Sequence, residues 1–554
     1  MFLYLSRLSI IRDYKMKVLL AYRPNPRYND PDTNIFPNGL YYIASLLKDK
    51  GHNVHLKNFS RYNINEIKDE IKNLSPEILG LSCYTFNAVN TFELCDIIKD
   101  INKQIKVVLG GPHATALCDE ILKRIKNIDI IVKGEGEETF LELATSGLDN
   151  LKNIKGISYK KGDVIIHNLS REPINDLNSL TIPSKYYKYQ RIITSRGCPG
   201  ECTFCSTPNF WGRNIRFRNP RNIIEEIELL HKNYGLSYFV FSDDTFTCNK
   251  KRTIEICKLI IEKGLKITWD CRSRVNFIDE EQLTWMKKAG CISISYGVES
   301  GSERILKNIN KHITIDQIIK ASKITKKLGL QLAFFLIVGS PGENEESIQE
   351  TINLLKLTKP HKVLIAIMNL TPDIDLCKNV DMDFWFKEML EPHYYTSELS
   401  LEALMNFGKK INTEFQKYKG QYSMDELIAI IKKDPSSFQA FNYLGGLYLS
   451  KNMLKDALIC FLKAIKLNPG FAQANNNIGI VAIKSGQKEK ALECFKKAAK
   501  QNPEGLAAVT NAGRVYLEKG EIKKAKVYFK SALERKPKDQ QIKKYLDMIK
   551  KDEM

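Results

Sequence analysis

Three cysteines close together are the residues of this chain with the clearest chemical potential. Cys198, Cys202 and Cys205 follow the pattern C-x3-C-x2-C, and Gly197 and Gly200 let the backbone curl so that three thiolates can face one centre. Such thiolates hold iron–sulfur clusters. Three ligands on a four-iron cluster leave one iron open, as in catalytic metal sites that keep a free position. The spacing alone also permits a structural zinc ion with a fourth ligand from elsewhere in the chain.

The composition limits the classes of protein to which the chain can belong. Its 554 residues predict about three or four domains, and a hydrophobic content of 43% is ordinary for globular proteins. The net charge of +20 suits either an anionic partner or, as we favour, a solvated lysine-rich surface, so a nucleic-acid partner is not expected. Thirteen cysteines without a paired framework predict a reducing, cytoplasmic setting. No apolar run is long enough to predict a transmembrane segment.

Residues 16–150 alternate predicted strands and helices. The strands are expected at 17–22, 52–56, 78–82, 106–110 and 129–133. This βαβ rhythm predicts a Rossmann-like, doubly wound parallel sheet with helices on both faces. Ligands bind such sheets at the carboxyl ends of the strands, and the glycine-rich segments 110–114 and 134–139 both follow strands.

Residues 188–385 repeat this rhythm in six βα units, which predicts a partial (β/α)6 barrel of the TIM type. Functional side chains in such barrels sit at the carboxyl ends of the strands, and the three cysteines follow the first of them. Residues 151–187, with a short strand pair, are interpreted as a linker and crossover. The strands of the barrel are expected at 191–194, 238–242, 266–271, 291–298, 331–338 and 362–369.

The last part of the chain repeats every 34 residues. A 34-residue helix–turn–helix repeat with small residues at the helix crossings is the tetratricopeptide pattern. We expect about three repeats and a C-terminal helix over residues 426–554, forming an all-α solenoid with a concave binding face. With an N-terminal extension at 1–15 and a helical extension at 386–425, the chain is predicted to be an α/β multidomain protein. The recurring positions include Gly445, Gly479 and Gly513, and Phe461, Phe495 and Phe529.

The segment around Cys198 resembles the radical S-adenosylmethionine superfamily. One form of that family's signature is C-x3-C-x-aromatic-C, and Phe204 stands here in the aromatic position before Cys205. The resemblance implies that Cys198, Cys202 and Cys205 hold a 4Fe-4S cluster, whose open iron is chelated by the amino and carboxylate groups of S-adenosyl-L-methionine. Reductive cleavage would then give methionine and a 5′-deoxyadenosyl radical. The resemblance covers about residues 16–415.

Two further matches to the family follow the second and third strands of the barrel. The segment with Asp243 and Asp244 resembles the loop whose polar groups meet the amino group of the cofactor, although many relatives carry Gly-Gly-Glu there. A carboxylate facing an ammonium group is sensible chemistry. Arg272 and Arg274 end the third strand; one of them is expected to pair with the methionine carboxylate, with a surface ion pair as the alternative.

Later strands of the barrel carry two more matches. The stretch S-Y-G-V-E-S-G-S resembles the family's fourth-strand motif, so Glu299 and Ser300 are expected near the cofactor. The stretch G-S-P-G-E resembles the loop after the fifth strand, so Gly339 and Pro341 are expected to approach the adenosyl group.

Residues 16–150 resemble the cobalamin-binding domain that precedes the radical domain in one large subgroup. The motif Asp-x-His-x-x-Gly, which supplies an axial histidine in other cobalamin proteins, is absent here. The resemblance thus implies cobalamin bound without that histidine, and a scaffold without cofactor is the alternative. His113 is expected either to line the pocket or to hold backbone carbonyls. The cofactor contacts implied for this domain are Ser82, Gly110, Gly111, His113, Gly134 and Glu135.

Cysteines and asparagines outside these motifs carry weaker signals. Cys83, Cys95 and Cys118 suggest a second cluster, as in methylthiotransferases of similar layout, but their spacing is wide and buried free cysteine is common. Ordinary helix surface is the alternative interpretation for the asparagines of the repeats. The asparagines expected to contact a partner are Asn475, Asn476, Asn477 and Asn511.

These resemblances imply a radical enzyme that uses a 4Fe-4S cluster, S-adenosyl-L-methionine and cobalamin. Methylation of an unactivated carbon or phosphorus centre is the commonest reaction they imply. The alternatives are a cobalamin-dependent radical cyclisation or rearrangement, a methylthiotransferase, and a catalytically inactive interaction protein. The expected partners are an external electron donor of the flavodoxin or ferredoxin type and a protein or peptide bound by the repeats.

Overall fold

The structure is a computed structural model that describes residues 15–25, 35–148, 150–387, 399–536 and 539–552, without the side chains of Arg61 and of residues 550–552. The predicted extension at 1–15, apart from Lys15, and residues 388–398 of the predicted helical extension lie outside these ranges. Across the described residues, no helix combines the length and the apolar character needed to cross a membrane.

The first sheet has the order of a doubly wound fold, as predicted. Its strands in the described ranges are β1 Lys17–Tyr22, β2 Asn53–Asn58, β3 Ile78–Ser82, β4 Lys106–Gly110, β5 Ile130–Val132, β6 Ile157–Lys161 and β7 Val164–His167. The order is β2-β1-β3-β4-β5-β6-β7, and the first five strands are parallel. Continuous apolar runs form the central strands because helices bury both of their faces.

The strand pair predicted within the linker belongs to this first sheet. β6 pairs antiparallel with β5, and β7 pairs antiparallel with β6. The sheet therefore extends to His167 instead of ending near residue 150. The physical reason is that the outer edge of β5 would otherwise expose unpaired backbone groups, which the hairpin covers. The crossover that follows packs Leu177 and Leu180 against Tyr42 of the first unit.

The second sheet is parallel throughout, as the partial-barrel prediction requires. Its strands in the described ranges are β8 Arg191–Ile192, β11 Tyr238–Phe241, β12 Thr268–Ser273, β13 Cys291–Glu299, β14 Gln331–Val338 and β15 Lys362–Ile367. The order is β15-β14-β13-β12-β11-β8. A separate antiparallel pair, β9 Ser195–Arg196 with β10 Arg216–Phe217, flanks the cysteine segment. β8 is shorter than predicted because Thr194 donates its N–H to Asp243 at 2.6 Å instead of to a strand.

Helices connect the strands and cover both sheets. Several begin at a capping side chain, as at Asn63 and Thr314, which both complete a capping box. The helices of the first unit are α1 Asn38–Asp49, α2 Ile64–Leu74, α3 Ala88–Ile101, α4 Pro112–Ala116, α5 Cys118–Arg124 and α6 Glu137–Ser146. Those of the second unit are α7 Thr207–Trp211, α8 Pro220–Tyr234, α9 Lys250–Glu262, α10 Glu280–Lys288, α11 Glu303–Asn308, α12 Ile315–Lys327, α13 Glu345–Thr358 and α14 Leu401–Tyr418.

The segment after β15 returns to the first unit. Leu370, Ile374 and Trp385 are buried in the hydrophobic core on one face of the first sheet. The ring of Phe386 also stacks on Phe92 of α3, with centroids 5.8 Å apart. The predicted unit 188–385 therefore contributes its last residues to the core of the other unit, which fastens the two together.

The repeats pack in the register that the sequence predicts. Their helices in the described ranges are α15 Met424–Lys433, α16 Phe438–Ser450, α17 Leu454–Leu467, α18 Ala472–Lys484, α19 Lys488–Gln501, α20 Leu506–Glu518, α21 Ile522–Arg535 and α22 Gln540–Asp552. A Cβ on Gly445 would lie 2.7 Å from the ring of Phe461, and one on Gly479 would lie 2.5 Å from Phe495. The repeated glycine thus makes room for the repeated phenylalanine.

A turn between repeats and the start of α16 lie against the amino ends of strands in the second sheet. Asn468 Nδ2 donates to the carbonyl of Ile267, just before β12, at 3.0 Å. Gln439 Nε2 donates to the carbonyl of Cys291, at the start of β13, also at 3.0 Å. The cysteine segment follows the carboxyl end of β8, so the repeats are attached at the end of the sheet opposite to the cysteines.

The asparagines predicted to contact a partner bond to other amide side chains of the repeats. Asn477 Nδ2 donates to Asn442 Oδ1 at 3.0 Å, and Asn511 Nδ2 donates to Asn476 Oδ1 at 3.1 Å. Asn475 and Asn476 are buried. These amides therefore link the first helices of successive repeats, because a buried amide must find hydrogen-bond partners within the stack. Burial contradicts the expected partner contact for Asn475 and Asn476, whereas Asn477 and Asn511 are half-buried and their contact stays a prediction.

Candidate active site

The three cysteines lie in a tight loop between β9 and α7. Gly197 precedes Cys198 with a φ of +101°, and a Cβ there would lie 2.7 Å from the carbonyl oxygen of Asn214. Only glycine meets both demands. All three cysteines are free and partly exposed. Helix α7 begins at Thr207, two residues after Cys205.

The spacing of the sulfurs distinguishes between the two metal sites that the sequence left open. A single tetrahedral zinc ion with bonds of about 2.3 Å brings its sulfur ligands to about 3.8 Å from one another. The sulfurs of Cys198, Cys202 and Cys205 are not all within 4.8 Å of one another. This spacing favours an iron–sulfur cluster, which is larger than a single ion and is held by thiolates.

Hydrogen-bond donors approach two of these sulfurs. The N–H of Gly200 donates to Cys198 Sγ at 3.4 Å, and Arg274 Nη1 donates to Cys202 Sγ at 3.3 Å. Burial raises the pKa of the Cys205 thiol. Ligand sulfurs of iron–sulfur clusters accept such hydrogen bonds, so the donor set fits the cluster.

Asp243 and Asp244 differ although they are adjacent in sequence. Asp243 is buried, and its carboxylate accepts hydrogen bonds from the N–H and the hydroxyl of both Thr194 and Ser195. The structure therefore corrects the prediction that Asp243 meets the amino group of a cofactor. Its lone pairs are occupied by the chain itself, because a buried carboxylate must be paired. It fixes the backbone that leads from β8 into the cysteine loop.

Asp244 is the accessible carboxylate of the pair. Its Oδ1 lies 3.3 Å from Thr207 Oγ1, at the start of α7, and its side chain is open to solvent. The surrounding protein nevertheless desolvates it, and together with the negative charge of Asp243 this raises the pKa of Asp244 to about 6. A cation beside the cysteine loop would stabilise the ionised form.

Glu299 forms a buried ion pair beside Phe204. Lys311 Nζ lies 2.6 Å from Glu299 Oε1 and 5.9 Å from the centroid of the Phe204 ring. Glu299 has a φ of +66°, where β13 is bulged against β14. Such backbone strain persists only where surrounding contacts hold it. Glu299 thus positions Lys311 beside Phe204, with its own charge already neutralised.

Ser300 is buried and bonds to its own surroundings. Its Oγ accepts from the N–H of Ser302 at 3.2 Å and lies 3.4 Å from Thr351 Oγ1 of α13. The hydroxyl joins the end of β13 to a covering helix, and its predicted contact with the cofactor stays a prediction.

The loop after β14 presents a glycine and an unpaired hydroxyl. Gly339 has a φ of +92°, and its N–H donates to Glu343 Oε2 at 2.5 Å. Burial raises the pKa of Glu343 to about 7. Ser340 Oγ is buried without a hydrogen-bond partner, which suits contact with a ligand. The carbonyl of Pro341 accepts from Asn308 Nδ2 at 2.9 Å, which fixes the loop.

A cavity of about 450 Å³ lies between the carboxyl ends of the two sheets. Its wall is mainly apolar, and the rings of Tyr84 and Phe86 stack there with centroids 5.4 Å apart. Flat apolar walls and glycines without side chains suit a broad ring system such as a corrin. From the predicted residues the lining includes Ser82, Gly110, Gly111, Gly134, Glu135 and Arg272; from the second unit it also includes Ile193, Arg196, Phe210, Trp211 and Ser242.

His113 lies away from this cavity. It is 1% exposed, its Nδ1 is 3.2 Å from Thr85 Oγ1, and its ring packs 6.3 Å from that of Phe92. The structure thus corrects the prediction of a cofactor contact. Helix α4 begins at Pro112, directly after Gly111. His113 is therefore its second residue and lies on the buried face of the helix.

The cysteines suggested as a second cluster are buried separately. Cys83, Cys95 and Cys118 are free, and their sulfurs are not all within 4.8 Å of one another. Cys95 Sγ donates to the carbonyl of Thr91 one helical turn earlier, at 3.2 Å. Burial raises the pKa of each of these thiols. They behave as core residues, as the alternative interpretation holds.

A buried charge cluster joins the two units beside the cysteine loop. Arg196, two residues before Cys198, lies 3.2 Å from Glu135 Oε2 and 2.5 Å from Glu137 Oε1. Arg216 pairs with Glu135 as well. The side chain of Arg196 is 3% exposed, so these charges are compensated inside the protein. Sequence reasoning did not predict these ion pairs, since no local pattern reveals a partner 59 residues away, as for Arg196, or 81 residues away, as for Arg216. The two acidic residues in the segment G-E-G-E were the available signal.

Family comparisons match each unit separately. Residues 192–355 match the Radical SAM superfamily, and residues 30–144 match the B12 binding domain. Tetratricopeptide repeat families match residues 438–471, 460–493 and 482–547. The three matches follow one another along the chain in the order that the sequence patterns predict.

Individual relatives support the same grouping. Over 335 residues the chain is 37% identical to an uncharacterized methyltransferase of Pyrococcus horikoshii, covering 58% of this chain and 73% of that protein. Over 388 residues it is 30% identical to the anaerobic magnesium-protoporphyrin IX monomethyl ester cyclase of Rubrivivax gelatinosus, covering 65% and 69%. In fold it resembles the radical S-adenosylmethionine methyltransferase TsrM from Kitasatospora setae, with a TM-score of 0.56 at 17% identity over 65% of this chain and 77% of that one.

Proposed function

Because the chain belongs to the radical S-adenosylmethionine superfamily and also carries a B12-binding domain, we propose that it is a cobalamin-dependent methyltransferase acting on an unactivated carbon or phosphorus centre. The 4Fe-4S cluster, S-adenosyl-L-methionine and cobalamin supply the radical and methyl-transfer chemistry when bound, while the protein binds and orients them. The observation that carries the proposal is that the strand ends of the first sheet and the loops of the second face one shared cavity.

Cys198, Cys202 and Cys205 would hold the cluster. We assign the ammonium group of S-adenosyl-L-methionine to Asp244, whose accessible carboxylate lies beside the loop and lacks a cationic partner at ion-pair distance among the described residues. The attraction between carboxylate and ammonium would lower the pKa of Asp244 and hold it ionised. Arg272 lines the cavity and is assigned to the methionine carboxylate.

The cavity between the sheets would hold cobalamin. Gly110, Gly111 and Gly134 give its first-unit wall a backbone surface that a ring system can approach closely. Aromatic side chains of both units, including Tyr84 and Trp211, would exclude water from the reacting groups. Arg196 pairs with Glu135 and Glu137 of the first unit and so orients the cysteine loop toward this cavity.

A second candidate reaction is cobalamin-dependent oxidative cyclisation. The observation in its favour is the 30% identity to an anaerobic magnesium-protoporphyrin IX monomethyl ester cyclase over 388 residues. The two candidates differ in the fate of S-adenosyl-L-methionine. A methyltransferase of this type uses one molecule as methyl donor, which yields S-adenosylhomocysteine, and another for the radical. A cyclase needs only the radical and yields 5′-deoxyadenosine alone.

The experiment is anaerobic reconstitution of the full chain with iron, sulfide and cobalamin, followed by reduction in the presence of S-adenosyl-L-methionine. We expect about four iron atoms and one cobalt per chain, and both 5′-deoxyadenosine and S-adenosylhomocysteine. The triple variant C198A/C202A/C205A should lose the iron and 5′-deoxyadenosine. The matched control Cys494→Ala, which changes a partly exposed cysteine of α19, should retain both.

The outcomes separate the candidates. Formation of 5′-deoxyadenosine without S-adenosylhomocysteine would contradict methylation and favour the cyclase. Uptake of iron without cobalt would show that the first unit does not bind cobalamin and serves only as a scaffold. A wild-type chain that takes up no iron would contradict both proposed reactions. The remaining hypothesis would then be a catalytically inactive interaction protein.

For partners, we propose a protein or peptide that binds the repeats and a one-electron donor of the flavodoxin or ferredoxin type for the cluster. The family match of residues 438–547 to tetratricopeptide repeats supports the first. A partner on the repeats would sit at the amino end of the second sheet, which suggests recruitment or assembly rather than delivery of substrate into the cavity. Thirteen free cysteines and an oxidation-sensitive cluster support a reducing, cytoplasmic setting.

A further inference from the structure

Arg274 contacts a cluster cysteine directly. It follows β12, its side chain is buried, and Nη1 lies 3.3 Å from Cys202 Sγ. Its other terminal nitrogen, Nη2, donates to the carbonyl of Lys311. The guanidinium group is therefore held at both ends of its fork, and its position against the sulfur is fixed by the fold.

The loop is shaped around this guanidinium group. A Cβ on Gly200 would lie 2.9 Å from Arg274 Nη1 and 3.4 Å from Cys198 Sγ. No larger residue fits between the arginine and the loop without displacing one of them. The glycine at this position thus allows a cation to reach the sulfurs from inside the protein.

The positive charge of Arg274 is not cancelled locally. The neighbouring cation, Lys311, pairs with Glu299 at 2.6 Å. Among the described residues, Arg274 has no carboxylate within ion-pair distance; its contacts are a sulfur and a carbonyl. A guanidinium group stays protonated in proteins, so a full positive charge lies beside Cys202.

We propose that Arg274 raises the reduction potential of the cluster held by Cys198, Cys202 and Cys205, which makes its reduction easier. The inference rests on the proposed function, because it needs the cluster. One electron passes from an external one-electron donor protein to the cluster, which becomes more negative, while Arg274 keeps its proton. Hydrogen bonds to the sulfurs and local charge both set the potentials of such clusters. A buried cation stabilises the reduced form more than the oxidised form.

The test is a redox titration of the reconstituted full chain without S-adenosyl-L-methionine, followed by electron paramagnetic resonance of the reduced cluster. At the potential where the wild type is half reduced, we expect the ratio of reduced to oxidised cluster in Arg274→Gln to fall about tenfold, which equals a shift of about 59 mV for one electron. Arg274→Lys keeps the charge and loses the fork, so its shift should be smaller. The control Arg221→Gln removes an exposed arginine of α8 and should not change the potential.

Each outcome decides the inference. An Arg274→Gln protein with wild-type iron content and wild-type potential would overturn it. Loss of iron from both Arg274 variants, with normal loading of Arg221→Gln, would make Arg274 a structural anchor of the loop and would overturn it equally. Failure of the wild type to take up iron would instead contradict the proposed function, so the two failures are distinguishable.

Discussion

The two ends of the second sheet differ in whether their polar groups are paired within the chain. At the carboxyl end, the loops after the strands hold partly exposed cysteines, a glycine in a left-handed conformation and a carboxylate whose pKa is raised. At the amino end, side chains of the repeats donate hydrogen bonds to the main-chain carbonyls that precede or begin the strands, such as those of Ile267 and Cys291. Both ends belong to the same strands, so the strands themselves do not cause the difference.

Buried hydroxyl groups at the carboxyl end lack hydrogen-bond partners that a ligand would supply. The hydroxyl oxygens of Thr203, Ser242, Ser302 and Ser340 are buried near the carboxyl end and have no hydrogen-bond partner. An unpaired buried hydroxyl costs about 1–3 kcal/mol, and a ligand bound at this end would supply the missing bonds. Buried polar atoms without a partner also occur elsewhere in the described residues, as at Thr510 Oγ1 of the repeats. At the amino end the chain supplies partners from its own repeats. We therefore propose that the first end serves function and the second serves stability.

The largest effect is expected from removing a cluster cysteine at the carboxyl end of the second sheet. Cys202→Ala should remove the iron and abolish 5′-deoxyadenosine formation, while the unfolding free energy of the cluster-free protein changes by about 0.5 kcal/mol, because the side chain is partly exposed. Iron analysis, product assays and urea unfolding would measure this. Cys494→Ala is the control and should keep its iron. Wild-type iron content in Cys202→Ala would show that the loop is not the cluster site.

The next effect is on the affinity for S-adenosyl-L-methionine. Asp244→Asn removes a charged hydrogen bond worth about 1.5–3 kcal/mol, so we expect binding to weaken about tenfold to a hundredfold. The wild-type affinity should rise as the pH increases through about 6, because only the ionised carboxylate attracts the ammonium group. The variant should show no such rise between pH 5 and 7.

Equilibrium dialysis at several pH values would measure both changes. Asp316→Asn, at an exposed position in the first turn of α12, is the matched control. An Asp244→Asn protein with wild-type affinity at every pH would show that another group receives the ammonium.

At the amino end, the sharpest test is a pair of glycines in the repeats. A Cβ on Gly470 would lie 1.8 Å from the carbonyl oxygen of Lys266, so Gly470→Ala should displace the repeats and lower the free energy of unfolding by about 1–3 kcal/mol. Gly446 lies in α16, and no atom lies within 4 Å of a Cβ added to it. Gly446→Ala should therefore raise the free energy of unfolding by about 0.5–1 kcal/mol. Urea unfolding measures both.

Iron content and 5′-deoxyadenosine yield should be unchanged in both glycine variants. If Gly470→Ala lost its iron, the two ends of the sheet would be coupled, and the division between function and stability would not hold.

The smallest expected effect is a pH dependence of stability at the amino end. His361 Nδ1 accepts from the N–H of Leu332 at 3.0 Å, and its ring lies 4.7 Å from that of Tyr422, just before the repeats. Burial lowers the pKa of His361 to about 4, below its usual 6.5. The unfolded chain therefore binds a proton first, and stability is lost as the pH falls from 6.5 toward 4.

Between pH 7 and 5.5 we expect this residue to reduce the free energy of unfolding by about 1 kcal/mol. Urea unfolding of the wild type and of His361→Gln would reveal it as a difference in slope between the two proteins. Parallel pH profiles for the two would assign the acid sensitivity to other groups.

Much of the fold could be predicted because it follows from local patterns. The expected strand 331–338 agrees with β14, since a run of buried apolar residues bounded by glycine and polar residues determines it. The 34-residue spacing predicted the repeats because each glycine must accommodate a phenylalanine of its own repeat. The prediction failed at the linker hairpin. Its two strands were expected there, but the pairing of β6 with β5 was not.

The candidate site could be predicted less completely. Asp243 and Asp244 cannot be ranked from sequence, because only the path of the chain from β8 brings Thr194 and Ser195 to one of them. Likewise, Arg274 was only one of two arginines at a strand end. The alternation of side chains along an extended backbone, together with the position of the cysteine loop, directs it to Cys202.

The sequence by itself determined the identity and order of the three units and the three cysteines, because these depend on residue type and on spacing along the chain. The tertiary structure decided what each charged group does. Arg196 meets Glu135 and Glu137 across the units, Asp243 is saturated while Asp244 is accessible, and the repeats bind their own sheet. Charges and hydrogen bonds act over a few ångströms in space, and residues distant in sequence come that close only in the folded chain.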